Sequence, residues 1–188
     1  MVTDFLCDGL GYDKFADLTT EYQVRGEFAD YGIRIDKELV AFVETKRAAT
    51  RLAAKHLRQV EMYAVNEGIE WLLLTNASAW QVYHLTGGLP VVVDLAFQID
   101  LLGEDTVAQK TNLLFYLSRE SLKRRQIDEL WKRTAATSPK SLAKALLSDE
   151  VCSSIRRTLK RQTGQNIDET EIANLLRKSV LQTACFEP

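Results

Sequence analysis

Asp30, the triplet Glu44-Thr45-Lys46, and Gln59 with Tyr63 four residues later have types and spacing suited to one chemistry. Hydrolysis of a phosphodiester needs a hard cation to offset charge developing on the phosphate, an activated water, and a fixed geometry for both. Hard cations prefer oxygen ligands, and Mg²⁺ takes one or two carboxylates, with water and substrate oxygens completing its shell. Asp30 and Glu44 are the candidate carboxylates, and the Thr45 carbonyl is a candidate third ligand. Lys46 could orient the attacking water and counter negative charge. Gln59 and Tyr63, at i and i+4, share a helical stripe that could face the metal and hydrogen-bond the scissile strand. An isolated Glu-x-Lys is an ordinary charged strand edge. Three groups with linked roles in this order point instead to a metal-dependent nuclease.

These residues need a frame that brings them together. Tyr22 to Arg25 and Phe28 to Ile35 alternate, with Ala29, Tyr31, Ile33 and Ile35 on one face and Asp30, Gly32, Arg34 and Asp36 on the other. That period of two predicts strands. Asp36-Lys37-Glu38 is a polar turn, and Leu39 to Val43 is an apolar run too short for a helix, so the pair reads as a hairpin. Glu44 and Lys46, two apart, then share a strand face, while Thr45 points away. Asp30 points the same way as Glu44 if the pairing register is right.

Arg47 to Asn66 has helical character, with Ala53, Leu57, Val60 and Ala64 repeating at three and four, and Gly68 ends it. His56 on this segment reads as a surface residue. Trp71 to Thr75 is continuously apolar, as in a strand covered on both faces beside a parallel partner. Asn76-Ala77-Ser78 turns the chain. Trp80 to Leu85 and, after Gly87-Gly88, Val91 to Phe97 are further strands, and Met1 to Leu10 reads as a short helix with Leu6 and Leu10 on one side.

Beyond Gly103 the pattern is almost wholly helical, with helices predicted over 106–118, 120–134, 139–147, 149–163 and 168–181. The expected organisation is an α/β core over 1–103 and a helical appendage over 104–188, packed on the core or extending from it.

A chain of 188 residues, 46% hydrophobic and 27% charged, can bury a good core. It has no apolar run of about 18 residues, and Asp4 and Asp8 sit where a signal peptide would be basic and then apolar. The expectation is a soluble, cytoplasmic protein with no membrane partner. Cys7, Cys152 and Cys185 lie far apart, which argues neither for a disulfide framework nor for a thiolate metal site.

The net charge of −2 conceals an asymmetry. Residues 1–103 carry nine basic and fifteen acidic groups, and 104–188 carry fifteen and eleven. Arg157, Lys160 and Arg161 fall on one helical face, readable as a phosphate track or as a solvated face balanced by Asp149, Glu150 and Asp168. Arg47, Arg51 and Lys55, beside the acidic triplet, are the other candidates for nucleic-acid contact.

The segments EYQVRGEFADYGIRIDKELVAFVETKR, QVEMY and LLLTNASAWQVYHL resemble the PD-(D/E)XK nuclease superfamily. Within it they are similar to the N-terminal nuclease domain of type I restriction enzyme R subunits, over about residues 4 to 85. The resemblance implies a restriction-endonuclease-like core of α-β-β-β-α-β order, a mixed sheet flanked by helices. It further implies that Asp30 and Glu44 bind Mg²⁺ or Mn²⁺, that Lys46 is catalytic, that Gln59 and Tyr63 form the family's extra motif, and that Glu21 also lines the site. The implied activity is that of an endodeoxyribonuclease of restriction or defence systems.

This family's core often opens with a glutamate on its first helix, where this chain offers only Asp4 and Asp8. No GxxxxGK[ST] phosphate loop occurs, so no ATP site of the accompanying translocase is expected. Two other classes stand beside the enzyme. One is a weakly active or inactive nucleic-acid-binding or partner-docking module of the same fold. The other gives the helical half an oligomerising role, as a homodimer or with a partner subunit.

Overall fold

Alternation in the first half of the chain becomes a meander of three strands in the computed structural model, which describes residues 1–24, 27–87 and 91–181. Within those stretches the side chains of Val24, Glu27, Phe28 and Gln59 are also left undescribed, and Arg25, Gly88 and Cys185 lie outside the described residues. Strand β1 (Leu18–Val24) pairs antiparallel with β2 (Glu27–Ile35), which pairs antiparallel with β3 (Glu38–Thr45). The β2–β3 turn uses Asp36 and Lys37, both at positive φ (52° and 78°). Two-residue hairpin connections favour that backbone because it follows the strand twist.

The chain then crosses through α2 (Arg58–Glu67) to β4 (Trp71–Thr75), parallel to β3. All five residues of β4 are buried, as expected for an apolar strand flanked by a parallel neighbour. Antiparallel β5 (Ala79–Thr86) and β6 (Val92–Asp100) complete a mixed sheet whose spatial order is β1 to β6.

Both faces of the sheet are covered. On one, Ile33, Val43, Trp71, Leu73, Trp80 and Val82 meet Leu6 and Leu10, brought in by the amino-terminal helical turns α1 (Val2–Asp4, continued by a π-type turn over Phe5–Gly9). On the other, Phe42, Leu72, Leu74 and Tyr83 meet Leu57, Val60, Tyr63 and Ala64 of the α2 region. Leu57, Val60 and Ala64 of the three-and-four repeat thus became the buried stripe of this helical region, while Ala53 lies before it. Truncating fully buried Leu57 to alanine would cost about 2–5 kcal/mol.

Three local expectations change. Ala29 and Tyr31, expected on one face, belong to the two opposite clusters. The alternation breaks at Asp30, in the interval between Thr20↔Tyr31 and Tyr22↔Ala29 that also holds Glu21 at φ 50°. The helix expected from Arg47 begins only at a 3-10 turn over Ala54–Leu57, because Ala53 is extended (φ −156°) and the segment before it is tied to the β4–β5 turn. The single helix expected over 120–134 is broken at Arg125 (φ 55°) into α4 (Arg119–Lys123) and α5 (Gln126–Ala136), following α3 (Val107–Phe115).

The chain forms two compact units, Met1–Trp131 and Lys132–Pro188. The composition break at Gly103 marks a change of secondary structure and not of packing. Leu113, Leu114, Leu117, Leu122 and Ile127 all belong with the sheet core. The second unit contains α6 (Pro139–Leu146), α7 (Asp149–Thr163) and α8 (Glu169–Leu175), which bury Ala143, Cys152 and Ile172. Among the described residues no helix is long and apolar enough to cross a membrane.

Candidate active site

The β2–β3 ladder fixes where the acids stand. Its register runs Ile33↔Ala41, Gly32↔Phe42, Tyr31↔Val43, so Asp30 and Glu44 each follow directly on the last pair of the ladder. Past the last main-chain pair, the Thr45 N–H is accepted by Asp30 Oδ2 at 2.6 Å, and Thr45 Oγ1 donates to the same oxygen at 2.7 Å. Asp30 Oδ1 accepts no hydrogen bond among the described residues. Thr45 was expected to point away from the face that Glu44 and Lys46 share and to offer its carbonyl; its hydroxyl is a group that holds the Asp30 carboxylate.

Glu44 and Lys46 form an ion pair, with side chains 14% and 28% exposed. Both lie at the carboxyl end of β3, and the Lys46 N–H continues the parallel pairing by donating to Thr75 O at 2.7 Å. Burial pushes the Glu44 carboxyl above its ordinary value, and the charge of Asp30 pushes it the same way. The Lys46 ammonium works against both. A carboxylate desolvated and crowded by a second acid is one that a cation would relieve.

Donor chemistry suits a hard cation. Asp30 and Glu44 supply hard carboxylate oxygens of the kind Mg²⁺ accepts, the rest of its shell coming from water and substrate. Among the described residues no group of three or more His, Cys, Asp or Glu is placed to hold an ion. Glu21 lies next to Asp30 in the sheet and is exposed. Asp4 pairs with the terminal amine of Met1 at 2.6 Å, and Asp8 is exposed.

Tyr63 is only 4% exposed and packs into the core between α2 and the sheet. The side chain of Gln59 lies outside the described residues. His56 is half-buried, its Nδ1 accepting the Ala53 N–H at 3.2 Å at the entry to the 3-10 turn.

Arg47, Arg51 and Lys55 are exposed and make no ion pair among the described residues, and the same holds for Arg58. In the second unit Arg157, Lys160 and Arg161 are likewise exposed on α7, whereas Arg156 pairs with Glu169 at 3.2 Å.

One residue escaped the sequence reading. Asn76, 8% exposed, donates from Nδ2 to Ala48 O at 3.3 Å and to Thr50 O at 3.0 Å. Its Oδ1 accepts from Ser78 and Ala79, the ordinary work of an Asn in a turn. The turn was legible from Asn76-Ala77-Ser78, but the reach of the amide to a segment 26 residues away was not. No protein-family model, curated protein or solved structure matches this chain.

Proposed function

We propose that the first unit is a metal-dependent nuclease of the PD-(D/E)XK type, cleaving phosphodiester bonds in DNA as an endonuclease. The reading rests above all on Glu44: a sequestered carboxylate, ion-paired to the lysine two residues on and feeling the charge of a second acid at the end of the same strand ladder. The run of helix, three strands, helix and strand, with β3 and β4 parallel, agrees with the restriction-endonuclease-like core that the sequence motifs suggest.

Asp30 and Glu44 would hold Mg²⁺ or Mn²⁺, which supplies charge neutralisation at the scissile phosphate and a more acidic water. Asp30 is held by Thr45 through one oxygen, which leaves its other oxygen available to a cation. Lys46 carries three protons, of which one is committed to Glu44. The others can orient a water or counter phosphate charge. Tyr63 supports the strands from beneath as a core residue. We further infer a cytoplasmic protein of a restriction or defence system, working as a homodimer or beside a partner subunit.

The test is relaxation of supercoiled plasmid DNA with Mg²⁺ or Mn²⁺. Glu44→Ala and Lys46→Ala are each expected to lower the rate at least about 100-fold, the scale seen when one charge-stabilising group is removed, with unchanged circular dichroism. Equal nicking by wild type and variants would assign the activity to a contaminant. Metal-independent DNA binding without turnover would favour a binding module of the same fold.

A further inference from the structure

The connector between β3 and α2 reads Lys-Arg-Ala-Ala-Thr-Arg-Leu-Ala-Ala-Lys-His-Leu-Arg over residues 46–58, with five Lys or Arg and no acid. It stands out because the unit that carries it, residues 1–131, has fourteen basic groups against twenty acidic ones. Several other cations of that unit have acidic partners, though Lys14 and Lys37 have no ion pair among the described residues. Arg119 is bonded to Asp17 at 2.6 Å, Lys123 to Asp36 at 3.1 Å, Arg124 to Glu120 at 2.6 Å, and Arg125 to Asp128. Arg47, Arg51, Lys55 and Arg58 are exposed and have no ion pair among the described residues.

A solvated loop of small and basic residues has no need of a fixed shape. This one has it. Asn76 binds two of its carbonyls, those of Ala48 and Thr50, and the Thr50 N–H closes a local turn onto Arg47 O at 2.8 Å. Lys46 N–H anchors one end to β4, and His56 Nδ1 caps the other through Ala53 N–H. Ordering a binding segment in advance removes the entropy that a flexible one would lose on contact.

We propose that residues 46–58 form a preformed track for the phosphate backbone of a nucleic acid, with Arg47, Arg51, Lys55 and Arg58 as the contacts and Asn76 as the positioning residue. The identity of the polyanion rests on the nuclease reading above, since the track begins at Lys46. Four cations that each neutralise one phosphate would contribute about 3–4 to the salt slope of binding.

The test is fluorescence anisotropy of a labelled DNA duplex with the full chain, from 50 to 200 mM KCl with Ca²⁺ as the only divalent cation. Arg47→Gln/Arg51→Gln/Lys55→Gln is expected to weaken binding at 100 mM salt by about 30-fold or more and to lower the slope by about 2.7, roughly 0.9 per lost contact. Asn76→Ala is expected to weaken binding several-fold with the slope kept, and to speed amide exchange over 47–53. Lys37→Asn removes a charge at the opposite end of β3 and should bind as wild type does.

Wild-type affinity and slope in the triple variant would overturn the track, as would an equal loss in Lys37→Asn. Polyglutamate of matched charge competing as well as DNA would also overturn it, in favour of an acidic peptide. Failure of the nuclease reading is distinguishable. DNA binding lost with the triple variant but no cleavage by wild type would leave the track and remove the enzyme, and cleavage with an unaffected triple variant would do the reverse.

Discussion

Thr45 holds Asp30 by two donors on one oxygen, its N–H at 2.6 Å and its hydroxyl at 2.7 Å. The residue between the acid and the base of the Glu44-Thr45-Lys46 triplet therefore supports the second acid, which comes from the neighbouring strand. Two carboxylates separated in sequence are joined by a residue whose own chemistry is only that of a donor.

Thr45→Val keeps the shape and removes the hydroxyl. Groups that orient metal ligands are worth about 10–100-fold in affinity or activity. Thr45→Val is expected to raise the Mg²⁺ concentration for half-maximal cleavage about tenfold with little change in thermal stability. An unaltered metal dependence would make the Thr45 bond purely structural.

Glu44 gives a prediction of opposite sign for stability. Its carboxyl binds a proton more tightly in the fold than in the unfolded chain, chiefly because it is buried. Stability therefore falls as pH rises from the ordinary value, 4.5, through the raised one, and the full cost of the buried charge is present above it. Glu44→Gln is expected to melt higher than wild type at pH 7, with the gap closing by about pH 4. Melting at pH 7 equal to or below wild type would contradict this. On the nuclease proposal, such a cost at Glu44 is a trade-off of function against stability.

His84 stacks on Trp131 at 4.7 Å and meets Trp71 edge-on at 4.9 Å. Burial holds its pKa below the ordinary 6.5, although Glu70, Asp128 and Asp94 pull the other way. The folded protein thus binds fewer protons here than the unfolded chain, so stability is kept above 6.5 and declines as pH falls from there through the lowered value. His84→Phe preserves the stack and removes the titration. The urea midpoint of wild type should drop between pH 7.5 and 5.5 more than that of the variant, and identical pH dependence would rule the histidine out.

Gly32 is required by a close approach. A Cβ there would lie 2.8 Å from Tyr22 Cδ2 and 3.0 Å from Leu39 Cδ1. Gly32→Ala should cost about 1–3 kcal/mol in urea unfolding, the usual penalty for overpacking. Wild-type stability would mean that the Tyr22 ring, which also carries the Arg34 guanidinium at 5.4 Å, moves aside freely.

Much of the frame was legible. Positive-φ turn residues, a strand apolar throughout and a helix ended by Gly68 at φ 68° follow from neighbours within a few positions. The break in β2 was not, because nothing local to Asp30 announces that Glu21 across the sheet takes φ 50°. Tyr63 looked like a polar motif partner from its spacing. Its burial follows from the Phe42, Leu72 and Leu74 surface that α2 covers.

What the sequence alone determined is the chemistry available and its spacing along each element. Glu44 and Lys46 must share a face of any regular strand, since side chains alternate with period two. Only the tertiary structure decided that Asp30 and Glu44 both follow the last pair of the β2–β3 ladder, that Thr45 grips Asp30, that Asn76 fixes the cationic connector, and that the packing boundary falls after Trp131. Each joins residues far apart in the chain, so it depends on strand register and on which apolar faces meet.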